Sequence, residues 1–156
     1  MSKVWAKNLL GIHQTDFELL NVPNPRTELA IHVTFKTVEA GTFLGSLFYG
    51  PIKTAIYGGL EDKQALVKNC TVGGVSGALV GLLAGPLLTA LVTAKEDKIK
   101  IYDRCYRLRF NKAQMLTDRA VLAGGSLGSV IGGPGGFVLG VDLALLTTGL
   151  FNRLSR

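Results

Sequence analysis

Two long stretches of the chain contain no charged residue, and a third such stretch is shorter. The first runs over residues 69–94, the second over 120–141 and the third over 40–52. A membrane core about 30 Å thick requires roughly 20 apolar residues per helix, and the first two stretches reach that length. They also lack the polar stripe of a helix on the surface of a soluble protein. The pattern therefore predicts membrane-spanning helices.

The predicted fold is all-α, an integral membrane bundle of four transmembrane helices over residues 36–59, 66–94, 113–132 and 135–153. The first is interrupted by Pro51 and Lys53, whereas the second has ten Leu and Val residues between positions 72 and 92. Those ten side chains favour insertion by about 3 to 6 kcal/mol. The last two helices are interpreted as a hairpin, because four glycines surround Pro134 and favour a turn. One kinked helix over 119–141 is the alternative.

The rest of the chain is more polar. Residues 1–35 are predicted to form a polar or interfacial segment outside the membrane domain of residues 36–153. Within it, residues 3–20 suit either an amphipathic helix with Trp5 at headgroup level or a polar cap. Residues 95–112 are predicted to form a charged loop.

Glycines recur at every fourth position in the predicted helices. Residues four apart lie on one helix face, so these positions form stripes without side chains. In lipid, such stripes allow two helix backbones to approach closely, and close packing is what holds membrane helices together. The stripes are therefore predicted to pack helices, either within the chain or against a partner. The predicted packing glycines are Gly41, Gly45, Gly73, Gly77, Gly81, Gly85, Gly124, Gly128 and Gly132.

One acidic residue, Asp142, lies within the last predicted helix. A carboxylate at the centre of a membrane costs roughly 2.5 to 3.5 kcal/mol, so we expect it to face the bundle. In a hairpin that turns at Pro134, Ser126 and Ser129 are the expected hydrogen-bond partners. Asp142 is therefore interpreted either as a packing group whose hydrogen bonds are satisfied or as part of a proton or substrate relay.

Composition and charge narrow the classes of function. Charged residues make up 18% of the chain, and the net charge is +6, with most of the excess in residues 95–112. A basic segment between apolar helices favours contact with anionic lipid over nucleic acid. His13 and His32 are interpreted as surface groups, since neither has the spacing of a metal site. No catalytic cluster is identifiable, so we expect no enzyme activity, cofactor, metal or small-molecule substrate.

The segment from Asp118 to Gly128 resembles a motif of the mitochondrial Tim (preprotein and amino-acid transporter) family. This motif consists of an acidic residue, a gap of about six residues, and small residues spaced as Gly-x-x-x-Gly. Asp118, Arg119, Gly124, Gly125 and Gly128 match this pattern approximately. That family usually has an arginine shortly before the acid, whereas position 114 of this chain is glutamine.

The resemblance implies a multi-pass protein of the mitochondrial inner membrane that works among the other membrane subunits of a large complex. The family includes a small accessory subunit of respiratory complex I and subunits of the preprotein translocase. The chain is most similar to the former, which implies a non-catalytic role in assembly and stability of the respiratory chain. A translocase subunit, acting in protein transport, is the alternative. The basic loop favours the matrix side by the positive-inside rule, whereas the resemblance implies the intermembrane space.

Overall fold

The computed structural model describes residues 3–57 and 62–155, which form helices and short connections without a β-strand. The prediction of an all-α protein is confirmed. The elements are α1 (Lys3–Leu9), α2 (Asp16–Leu20), α3 (Pro25–Leu44), a π-helical turn (Gly45–Tyr49), α4 (Gly50–Tyr57), α5 (Lys63–Thr93), α6 (Lys98–Phe110) and α7 (Lys112–Leu154).

The first long helix begins earlier than the sequence predicted. It starts at Pro25, which occupies the first turn, where proline costs no hydrogen bond. It then continues through the π-helical turn and α4 to Tyr57. Residues 25–35 therefore belong to this helix and not to the N-terminal segment. Residues 58 and 59, the predicted end of the helix, lie outside the described residues.

The next helix, α5, follows its prediction closely. Asp62 caps its first turn, since the carboxylate accepts hydrogen bonds from the backbone N–H groups of Gln64 and Ala65 at 3.0 Å. Pro86 lies inside the helix without ending it. This helix runs antiparallel to α3 and α4 and packs along both. Among the described residues, the contact between α3 and α5 is the most extensive between two helices.

The prediction of a charged loop over residues 95–112 is wrong, because most of this segment forms α6. Ile101, Cys105 and Arg109 recur at every fourth position and make the buried face of the helix. Ile101 and Cys105 pack against Val22 and Leu29. The helix thus covers one end of the bundle, together with α2 and the start of α3.

The last helix, α7, reverses direction at two glycines. Gly132 has φ −128° and ψ 18°, and Gly133 has φ 56° and ψ −141°. The positive φ of Gly133 is a conformation that side chains with a Cβ rarely adopt. Pro134 begins the second arm, where its fixed φ suits the first turn of a helix. The arms, residues 112–131 and 134–154, lie antiparallel, so the chain forms the hairpin and not the kinked helix.

By length and composition, two of the described helices, α5 and α7, are long and apolar enough to cross a membrane. Each exposes a row of large aliphatic side chains. In α5 these include Leu79, Val80, Leu82, Leu83, Leu87, Leu88, Leu91 and Val92, and in α7 they include Leu127, Val130, Ile131, Leu139, Leu143, Leu146 and Leu150.

Candidate functional site

Glycine replaces side chains along the contact between α3 and α5. Gly41 lies against the carbonyl of Gly77, and Gly45 lies against that of Gly73. Each step of four residues along α3 is matched by a step of four back along α5. Gly81 and Gly85 continue the contact, against Thr37 and Thr34 respectively. A Cβ at any of these glycines would overlap atoms of the facing helix, so the two backbones lie as close as glycine allows.

The two arms of α7 meet in the same way. Gly124 faces Gly140, and Gly128 faces Gly136, each pair through backbone atoms. Gly125 is buried, and a Cβ there would lie 3.2 Å from Cγ2 of Val141.

Gly132 does not belong to this set, since nothing lies within 4 Å of a Cβ built there. Gly132 therefore packs no helix within the chain, because the chain turns at this residue and carries it away from the facing arm.

A cluster of charged side chains joins α3 to the first arm of α7. The ammonium of Lys36 binds Oε2 of Glu39 at 2.8 Å, and it also binds Oδ1 of Asp118. Nδ1 of His32 lies 3.6 Å from Oδ2 of Asp118. Both acids are buried, with 5% of each side chain exposed. We refer to His32, Lys36, Glu39 and Asp118 as the charged cluster.

The charged cluster lies level with the middle of the uncharged stretch of α5. The hydroxyl of Thr37, next to Lys36, donates a hydrogen bond of 2.6 Å to the carbonyl of Gly81. Gly81 is near the centre of residues 69–94, the longest uncharged stretch of the chain. Glu39 and Asp118 are buried at that level, and their pairing with Lys36 offsets part of the cost of removing their charges from water.

The sequence did not predict this cluster in full. Asp118, named above only as part of the family motif, forms a salt bridge to Lys36. The interpretation of His32 as a surface group is wrong, because 12% of its side chain is exposed and it faces Asp118. His13 is exposed, as expected. The signal available in the sequence was the spacing of His32, Lys36 and Glu39 by four and three residues along one helix.

Asp142 has a partner other than the predicted ones. Its Oδ2 accepts a hydrogen bond of 2.6 Å from the hydroxyl of Ser46, which lies in the π-helical turn. The expected partners, Ser126 and Ser129, are both exposed. Asp142 lies on the second arm facing α3, whereas the two serines lie on an exposed face of the first arm. The other oxygen of Asp142, Oδ1, is buried without a hydrogen-bond partner.

We expect Asp142→Asn to be a mild change. The amide oxygen of asparagine accepts the hydrogen bond from Ser46 in place of the carboxylate, so the loss of stability should stay below about 1 kcal/mol. Thermal unfolding of the purified variant in detergent measures this. Ser46→Ala is the matched control for loss of the hydrogen bond. Normal assembly with abolished function in Asp142→Asn would contradict a packing role and support the relay.

Two arginines hold the N-terminal segment against the bundle. Arg109 binds both carboxylate oxygens of Glu28, and its guanidinium also donates to the carbonyls of Leu19 and Asn21. Arg119 donates to the carbonyls of Leu9 and Asn8, at 3.0 and 2.6 Å. Arg119, expected only as part of the family motif, therefore binds a segment more than a hundred residues away.

Both cysteines are free thiols. Cys105 is buried in α6, and this burial raises the pKa of its thiol to about 11. A thiol with so high a pKa is almost entirely protonated at neutral pH and reacts slowly. Among residues 3–57 and 62–155, no three His, Cys, Asp or Glu side chains converge as a metal site. The site is thus one of paired charges and close backbone contacts.

The sequence matches the family described as "Protein of unknown function (DUF1757)" over residues 5–151. This match covers nearly the whole chain, and the chain belongs to that family. Comparison with curated proteins finds no match.

Proposed function

We propose that this member of the DUF1757 family is a non-catalytic accessory subunit of mitochondrial respiratory complex I. In this proposal the chain crosses the inner membrane four times, with α3–α4 from residue 36 to 57, α5, and the two arms of α7. It stabilises the complex by helix packing. The observation that carries the proposal is the pair of glycine contacts, α3 on α5 and arm on arm, inside a bundle whose outer faces are aliphatic.

The exposure of apolar side chains supports a membrane location. Only 22% of the most apolar 18-residue segment of α5 is buried inside the chain, and the share is the same for the most apolar segment of α7. The core helix of a soluble protein would be mostly buried. A soluble protein also rarely exposes apolar patches of this extent, unless they bind a membrane or another protein.

The glycine contacts support a role in packing. Membrane helices gain little from burying apolar surface against each other, so close backbone approach supplies the association instead. The close backbone contacts at the glycines of α3, α5 and α7 are made within the chain. The aliphatic side chains of α5 and α7 remain on the outside, where lipid or neighbouring subunits would cover them.

The choice of complex I comes from the resemblance of residues 118–128 to the Tim family, together with the shape of the bundle. The polar groups within the proposed spans pair with each other, Lys36 with Glu39 and Asp118, and Ser46 with Asp142. Paired groups suit a packing subunit better than a channel wall lined with free polar groups. A translocase subunit remains the second candidate, and the presence of two acids level with the middle of α5 favours it.

Native gel electrophoresis of digitonin-solubilised mitochondria separates these candidates. We expect the tagged full-length chain to migrate with NADH dehydrogenase activity, and its depletion to reduce the assembled complex. Migration with the import machinery, with loss of precursor import on depletion, would instead support the translocase. Migration as a free protein, with neither complex affected, would overturn the proposal.

A further inference from the structure

A groove of about 270 Å³ opens between α3 and the first arm of α7, bordered by the start of the second arm. Its walls are mostly apolar, with Phe35 on one side and Phe137 on the other. Three polar residues line it: Glu39, Ser126 and Ser129. The serines lie one helical turn apart and are exposed.

Glu39, which lines this groove, has a carboxylate oxygen without a hydrogen-bond partner. The residue is 4% exposed, and its Oε2 is bound to Lys36. Its Oε1 is buried and has no hydrogen-bond partner. A buried carboxylate oxygen without a partner is costly, because it has lost its bonds to water and gained none.

The charged cluster is also short of one positive charge. Glu39 and Asp118 carry two negative charges when ionised, whereas Lys36 supplies one positive charge to both. His32 is the remaining group near Asp118, and burial lowers the pKa of its imidazole, so it is mostly uncharged at pH 7. Arg119 is engaged by the carbonyls of Asn8 and Leu9. One cation from outside the chain would therefore neutralise the cluster.

We propose that this groove binds a lysine or arginine side chain presented by a transmembrane helix of a neighbouring subunit. The cationic group would donate hydrogen bonds to Oε1 of Glu39 and to the hydroxyl oxygens of Ser126 and Ser129. Phe35 and Phe137 also line the groove, and aromatic rings attract positive charge. The proposal rests on the proposed function, because it requires a partner subunit in the membrane.

The depth of the groove favours a side chain from a helix over a lipid headgroup. Glu39 lies half a turn beyond Thr37, which is bonded to the centre of the uncharged stretch of α5. A lipid headgroup would lie at the end of that stretch, roughly 18 Å away by the rise of a helix. A lysine or arginine on a spanning helix is already at the depth of Glu39.

The test uses synthetic transmembrane peptides and the purified full-length chain in lipid vesicles. The peptides are leucine-rich helices with a single central Lys, Leu or Glu, and fluorescence energy transfer measures their association with the protein. We expect the Lys peptide to bind at least about tenfold more tightly than the Leu peptide, and the Glu peptide to bind no better than the Leu peptide. Equal binding of the Lys and Leu peptides would overturn the proposal, and would indicate that a proton neutralises the two acids.

Variants of the protein test whether the preference for the Lys peptide depends on the groove. Glu39→Gln should abolish the preference for the Lys peptide, and Ser126→Leu should reduce it by filling the groove without removing a charge from the cluster. Ser76→Leu is the matched control, since Ser76 is exposed on α5 and outside the groove. If Glu39→Gln fails to fold, Ser126→Leu decides the outcome, and an unchanged preference in that variant overturns the proposal. The assay needs no respiratory complex, so its failure leaves the native gel result to stand separately.

Discussion

Replacing Gly81 by leucine is expected to lower the thermal unfolding midpoint of the detergent-purified protein by about 5–10 °C, or to prevent folding. Even a methyl group at this position would overlap the carbonyl of Thr37, and the facing atoms are backbone, which cannot move aside as a side chain would. The helices must separate to admit the larger residue. Separation would also break the hydrogen bond from Thr37 to the carbonyl of Gly81.

Two further variants serve as a control and as a second test of this prediction. Gly149→Leu changes helix propensity in the same way, but nothing lies within 4 Å of a Cβ at Gly149, so we expect a near-normal midpoint. Gly128→Leu should resemble Gly81→Leu, because Gly128 meets the backbone of Gly136. If Gly81→Leu and Gly128→Leu both fold and assemble normally, the glycine contacts do not hold the bundle together.

Lys36→Met is expected to destabilise the protein by about 3–5 kcal/mol, the usual cost of removing one partner from a buried ion pair. Methionine keeps much of the volume of the side chain but leaves Glu39 and Asp118 without their shared cation. Two buried carboxylates at close range repel each other, so at least one of them would have to take up a proton. Chemical or thermal unfolding at pH 7 measures the loss.

The triple variant Lys36→Met, Glu39→Gln, Asp118→Asn should recover most of this stability, because it removes the charges that methionine leaves unpaired. Lys98→Met is the control for loss of a lysine, since Lys98 is exposed at the start of α6. An unchanged midpoint in Lys36→Met would mean that the two acids are neutral in the folded protein and that Lys36 contributes little.

The sequence predicted the parts of the fold that depend on local pattern. The uncharged stretches marked α5 and both arms of α7, and the glycines around Pro134 marked the reversal between the arms. The helix over residues 98–110 was not predicted, because its many charged residues are typical of a loop. The spacing of Ile101, Cys105 and Arg109 by four residues was the available signal for a helix.

The candidate site was less predictable, because its partners are distant in the chain. Lys36 and Asp118 are 82 residues apart, and Ser46 and Asp142 are 96 apart. A pairing of that kind depends on how the helices are arranged around each other. For Asp142 the hairpin alone suggested Ser126 and Ser129, whereas the packing of α3 against the second arm supplies Ser46 instead.

By itself the amino-acid sequence determined that the chain is helical, where its long apolar helices lie and which faces lack side chains, because these properties follow from neighbouring residues along one helix. Only the tertiary structure decided which glycines face each other, that Gly132 turns the chain, and that Glu39 and Asp118 share Lys36. Those outcomes depend on the relative position and rotation of whole helices, which the energy of the complete bundle sets and no single segment encodes.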